Sequence, residues 1–144
     1  PSGFAGGLVD WAPGAALAMS RATFRTIGPF DETYRHYAQD LDYCRRLASA
    51  GGSVRVLADW VVVHHLGGSL GQASGEEGQR LDLLWLDLLH WADRHRSPPW
   101  ARQARRRLLL GGRLRLLRLA TRRHGRDSAE ARAVAAAIAA IRHA

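Results

Sequence analysis

"DLDYCRRLASAGGSVRVLADWVVVHH", residues 40–65, carries the reading that sets the fold. Asp40 stands where a helix N-cap belongs, residues 41–50 continue as a helix, and Gly51-Gly52 close it. Residues 53–65 first alternate and then run continuously apolar, the pattern of a strand buried on both faces. A helix that turns through glycines into such a strand is a unit of α/β architecture.

Upstream, residues 8–20 are short, apolar and broken by Pro13-Gly14, which predicts a turn leading into a buried strand at 15–19. Residues 21–28 read as a short helix closed by Gly28, and residues 29–39 as an aromatic loop. The order strand, helix, helix, strand gives an α/β class for residues 1–70. Residues 71–78 form a linker rich in Gly and acids, and residues 79–144 a helical basic region. In that region "QRLDLLWLDLLHWADRHR" presents a broad apolar face through Leu81, Leu84, Trp85, Leu88 and Trp91, and Ser97-Pro98-Pro99 stops it. Residues 100–123 are a basic amphipathic stretch with Leu110, Leu114 and Leu117 at helical spacing, weakened at Gly111-Gly112 by about 1 kcal/mol each relative to Ala. An Ala-rich helix follows from a cap at Asp127 or Ser128. No internal repeat is evident.

Composition bounds the function. With 144 residues, 47% of them hydrophobic, the chain has the material for one folded domain with a real core. Its opening residues show no signal pattern and no apolar run reaches a membrane span, so the expectation is neither secretion nor membrane crossing. The one cysteine, Cys44, excludes an internal disulfide and fits a reducing, cytoplasmic setting. The net charge of +8 is unevenly placed: residues 1–70 balance six Arg with six acids, whereas residues 71–144 carry fifteen Arg against seven acids. There is no Lys, which fits a GC-rich coding background better than a functional choice of guanidinium.

The basic region has three readings. Nucleic acid would be met by Arg on phosphates, yet no recognised binding motif is present and the Leu content exceeds what a solvated arm needs. Solvated Arg on a packed helical subdomain is the plainest reading. An anionic membrane surface fits better, with Leu and Trp inserted and Arg at the headgroups.

Asp40 and Asp42 also divide. Structurally, Asp40 caps its helix while Asp42 supports the first turn and pairs with Arg46 at i, i+4. Functionally, a carboxylate at the mouth of a sheet, after a polar and aromatic loop, is placed to take a proton from a substrate hydroxyl. A competing motif, Gly67-Gly-Ser69-Leu-Gly71, matches the Gly-x-Ser-x-Gly nucleophile elbow, with His90 and His95 downstream. No helix formers follow Gly71 directly, so a serine hydrolase is the weaker reading.

The stretch "GAALAMSRATFRTIGPFDETYRHYAQDLDYCRRLASAGGSVRVLADWVVVHHLGGS" resembles the C-terminal half of the catalytic domain of family 2 glycosyltransferases, in particular their rhamnosyltransferase-like branch. The family pattern runs Gly-Ala-Ala, a helix, Gly-Gly-Phe-Asp-Glu, Glu-Asp-x-Asp, an Arg-rich helix, Ala-Gly, a strand and His-x-x-Gly-x-Ser. The match covers about residues 9–70 in order and spacing. The resemblance implies a partial GT-A (Rossmann-like) fold and an inverting sugar transfer from a nucleotide-sugar donor, by branch similarity deoxythymidine diphosphate rhamnose. The acceptor would be a saccharide or lipid-linked molecule in cell-envelope polysaccharide assembly; the basic region, read as meeting an anionic surface, suits such an acceptor and adds the expectation of a cytoplasmic, peripheral setting on the inner face of the cell membrane. The resemblance implies Asp40 as catalytic base and His64 as a ligand of a divalent metal, Mg2+ or Mn2+, with His65 structural or lining. Trp11, Pro13 and Gly14 fall near the sugar and acceptor. Trp11, Gly14, Asp42 and Arg46 are the candidate substrate-binding residues, the last two matching family positions that also orient the helix.

Two departures stand out. Gln39 replaces the Glu before the base, and Gly28-Pro29 replaces Gly-Gly. A nucleotide-binding half and an Asp-x-Asp motif are not found ahead of Trp11, so the chain resembles a fragment of a longer enzyme. The alternative of a different class is a non-catalytic membrane-surface module that keeps only the acceptor half.

Overall fold

Ser20 leaves an extended backbone and turns its hydroxyl onto the Thr23 N–H, 3.0 Å away, which starts helix α1 (Arg21–Ile27). Gly28 ends it, with a φ of 84° and its N–H on the Phe24 carbonyl. The computed structural model describes residues 6–64, 80–122, 125 and 127–143. They divide into two units, residues 6–34 with 38–64, and residues 35–37 with those from 80 onward. The linker 71–78, His65 and the 67–71 pentapeptide lie outside the described residues.

In the first unit, β1 (Gly7–Val9) pairs antiparallel with β2 (Val54–Val56) in the register Gly7↔Val56, Leu8↔Arg55, Val9↔Val54. Helix α2 (Gln39–Ser49) ends in a Schellman arrangement: Gly51 N–H reaches the Ala48 carbonyl and Gly52 N–H the Leu47 carbonyl. Gly51 takes the positive φ, 80°, that this stop requires. Tyr34, Tyr43 and Cys44 are buried here.

Three expectations change. Residues 15–19 are not a strand: Gly14–Ala16 make a 3-10 turn, and the partner of β2 lies upstream at Gly7–Val9. Among the described residues the strand expected over 53–65 is formed only at Val54–Val56, and Trp60, Val61, Val62 and Val63 are between 58% and 88% exposed. A strand buried on both faces needs elements packed over both, and the exposure of residues 60–63 shows that nothing covers them among the described residues. Asp40 is not the N-cap either, because Ala38 holds that place with a left-handed φ of 64° and α2 begins at Gln39.

The second unit contains α3 (Leu81–His95), α4 (Pro98–Ala120) and α5 (Ala129–His143), packed around Trp85, Leu89, Val134, Ala137, Ile138 and Ile141. Ser97-Pro98-Pro99 both ends the first of these and opens the next, since proline at the first helical positions gives up only an N–H that has no partner there. Of the two candidate caps for α5, Ser128 is used: its hydroxyl accepts the Ala131 N–H at 3.1 Å.

The glycines of α4 are not equivalent. A Cβ on Gly111 would meet nothing, whereas one on Gly112 would lie 2.8 Å from Trp85 Cη2 and 3.0 Å from Ile138 Cδ1. Gly112 is therefore the point at which α4 closes on both neighbours. Gly111→Ala is expected to stabilise the unit by about 0.5–1 kcal/mol through helix propensity, and Gly112→Ala to destabilise it by about 1–3 kcal/mol through overpacking. Urea unfolding of the two variants checks both signs.

Candidate active site

Pro13 is extended, with φ −65° and ψ 141°, and Gly14 opens the 3-10 turn. The first N–H groups of such a turn have no partner within it. Gly14 N–H donates instead to Asp40 Oδ2 at 2.7 Å, across 26 residues of sequence. Asp40 Oδ1 accepts the Leu41 N–H, also at 2.7 Å. The carboxylate is half-buried at the second residue of α2, near the positive end of the helix dipole. A carboxylate oxygen has two lone pairs, so each oxygen keeps one acceptor position for an incoming hydroxyl. A Cβ on Gly14 would stand 3.4 Å from Asp40 Cβ, in ordinary van der Waals contact with this group.

Gly14 and Asp40 are thus brought together. Trp11 lies in the same turn region and is 45% exposed. Asp42 and Arg46 are placed differently. Asp42 is fully buried; its Oδ2 accepts Arg46 Nε at 2.7 Å, and its Oδ1 accepts the Tyr34 hydroxyl at 3.4 Å. Arg46 also donates through Nη1 to the Ile27 carbonyl and through Nη2 to the Pro29 carbonyl, and its guanidinium lies 5.0 Å from the Tyr43 ring centre. The pair ties the end of α1 to α2 and so holds the framework from which Asp40 projects.

His64 is exposed at the end of the described part of the first unit. Among the described residues no group of three His, Cys, Asp or Glu side chains assembles to hold a metal ion. His64 therefore has no assembled ligand set around it among the described residues. Of the histidines in the hydrolase reading, His90 and His95 lie on α3, His95 against the Trp91 ring.

Asp87 was missed by sequence reasoning. It is fully buried, and within the second unit its carboxylate accepts three consecutive backbone N–H groups, from Arg35 at 3.1 Å, His36 at 2.9 Å and Tyr37 at 2.8 Å. The Tyr37 hydroxyl in turn accepts the Arg80 N–H at 3.2 Å. Burial pushes the Tyr37 phenol up from its ordinary range, and the forked Arg80 guanidinium on Asp82 holds that carboxyl below its own. The available signal was position: Asp87 falls between Leu84 and Trp91 on a helix face that is otherwise apolar.

No family model matches the chain, and no solved structure matches it. Over 64 residues it is 36% identical to N-acetylglucosaminyl-diphospho-decaprenol L-rhamnosyltransferase of Mycobacterium tuberculosis, in both strain CDC 1551 and strain H37Rv, covering 44% of this chain and 21% of the relative. Over 58 residues it is 29% identical to rhamnosyltransferase WbbL of Escherichia coli strain K12, covering 40% of this chain and 22% of that protein. The chain spans about one fifth of the length of these curated relatives. What it has in common with them, over less than half of its own length, is a likeness to glycosyltransferases.

Proposed function

We propose that this chain is the acceptor-side part of an inverting glycosyltransferase of GT-A type, with Asp40 as its general base. The acceptor hydroxyl attacks the anomeric carbon of a nucleotide sugar from the face opposite the leaving group. The new C–O bond forms as the bond to the diphosphate oxygen breaks. The hydroxyl proton passes to Asp40, and the nucleoside diphosphate departs with the bonding electrons. Such a hydroxyl is a weak acid, so a positioned carboxylate is what makes it a nucleophile at neutral pH.

The observation that carries this reading is the Gly14 N–H on Asp40 Oδ2, which aims the carboxylate from a second element of the unit. The likeness to two rhamnosyltransferases supports rhamnose as the donor sugar, and the printed name of one supports a saccharide carried on a polyprenyl diphosphate as acceptor. In this reading Asp42 and Arg46 act through the framework they hold, and Trp11 offers an exposed indole beside the turn for a sugar face.

The test is a donor screen with the full-length gene product, adding divalent metal and a lipid-linked saccharide acceptor. Transfer of a sugar supports the reading; a complete absence of transfer across nucleotide-sugar donors contradicts it. Within that assay Gly14→Pro, which removes the N–H, is expected to lower kcat about tenfold, the worth of one neutral donor to a charged group. Gly14→Ala keeps the N–H and makes an ordinary contact, so it is expected to stay within about threefold of wild type.

A further inference from the structure

We propose that the outward face of α4 docks on an anionic lipid surface, an inference that stands apart from the transfer chemistry. Helix α4 has two apolar faces. One buries Ala101, Gly112 and Leu119 and packs Leu108, Leu109 and Leu116 toward the core. The other carries Leu110, Leu114 and Leu117, which are 58%, 56% and 66% exposed. Their spacing of four and three residues sets them in one stripe. Arg106 and Arg113 flank it on one side and Arg107 and Arg118 on the other, all four exposed.

The charges favour one occupant. The helix contains no acid, and two of its other arginines are committed, Arg105 to the Ile141 carbonyl at 2.8 Å and Arg115 to Glu130 at 2.8 Å. The four flanking arginines have no hydrogen-bond or ion-pair partner among the described residues. Arg118 also lines an open groove with Leu114, Arg122 and Glu130. A second copy of the chain would set one row of arginines against another. A nucleic acid would use the arginines and leave three leucines in water. An anionic bilayer takes both, with leucines among the upper acyl chains and guanidinium groups at the phosphates on their long stems. No helix among the described residues is long and apolar enough to cross a membrane, so the geometry is that of a helix lying on the surface.

The test is co-sedimentation of the 144-residue chain with vesicles of phosphatidylcholine alone or of equal parts phosphatidylglycerol and phosphatidylcholine. Binding is expected to the anionic vesicles, weakening with salt and nearly lost on the neutral ones. Leu114→Ser with Leu117→Ser is expected to weaken it at least about tenfold, and Arg107→Gln with Arg118→Gln about twenty-five-fold, from about fivefold per charge. All four positions are exposed, so circular dichroism should show both variants folded as wild type. Equal binding to both vesicles, no binding to either, or variants that bind as wild type would overturn the proposal. So would a dimer in sedimentation equilibrium that the leucine variant abolishes, or duplex DNA binding that only the arginine variant loses.

Discussion

Asp87→Ala is expected to destabilise the helical unit by about 3 kcal/mol, because it strands three part-buried backbone donors at once. The carboxylate lies at no exposed surface and meets the N–H groups of Arg35, His36 and Tyr37 in succession, all within 3.1 Å. Hydrogen bonds to an ionised acceptor contribute about 1.5–3 kcal/mol each, and partial entry of water into the space left by the side chain offsets part of the sum. Arg35 Nη1 stands 3.7 Å from the same carboxylate, but that side chain is 53% exposed and adds little. Asp87→Asn keeps the volume and one acceptor oxygen while turning an NH2 toward donors, so a loss of about 2 kcal/mol is expected. Urea unfolding measures both, and amide exchange at residues 35–37 locates the effect. Wild-type midpoints with unchanged exchange at those amides would remove the anchoring role.

Local rules carried much of the fold. The α1 helix, its Gly28 stop, the Gly51-Gly52 stop of α2, the Pro98-Pro99 boundary and the Ser128 cap were legible because each depends on residues within one turn of chain. The failures share another cause. "WVVVHH" reads as a strand because apolar runs are buried in finished sheets, but burial is conferred by neighbours, and nothing covers residues 60–63 among those described. Asp40 looked like a cap because Asp is a favoured N-cap residue, whereas Ala38 takes that place at a positive φ that is disfavoured for Ala by roughly 1–2 kcal/mol and that no residue type announces. The displaced start of α2 is what leaves Asp40 at its second residue, where the carboxylate meets Gly14.

The candidate site was legible in its residue types and less so in its geometry. The pairing of Gly14 with Asp40 spans 26 residues and follows no spacing rule. The Asp42–Arg46 pair was readable at i, i+4, but the further reach of Arg46 to the Ile27 and Pro29 carbonyls was not. Asp87 was visible as an acid on an apolar face, and its partners are backbone groups that no residue type announces.

Removal of the proposed base should cost far more activity than any of the positioning changes. Asn at position 40 keeps an oxygen for the Gly14 N–H and nearly the same volume but turns its NH2 toward the Leu41 N–H, so the turn and helix should stay folded with a loss of about 1 kcal/mol. What it loses is the ability to accept a proton, and general base catalysis contributes about 10²–10⁴ in rate. The most direct measurement is the kcat of sugar transfer by the full-length gene product and its Asp40→Asn variant, at saturating donor and acceptor. A fall of about 10³-fold, with the donor KM within about threefold of wild type, is the predicted result; a variant kcat within about threefold of wild type would contradict the assignment of Asp40 as the base.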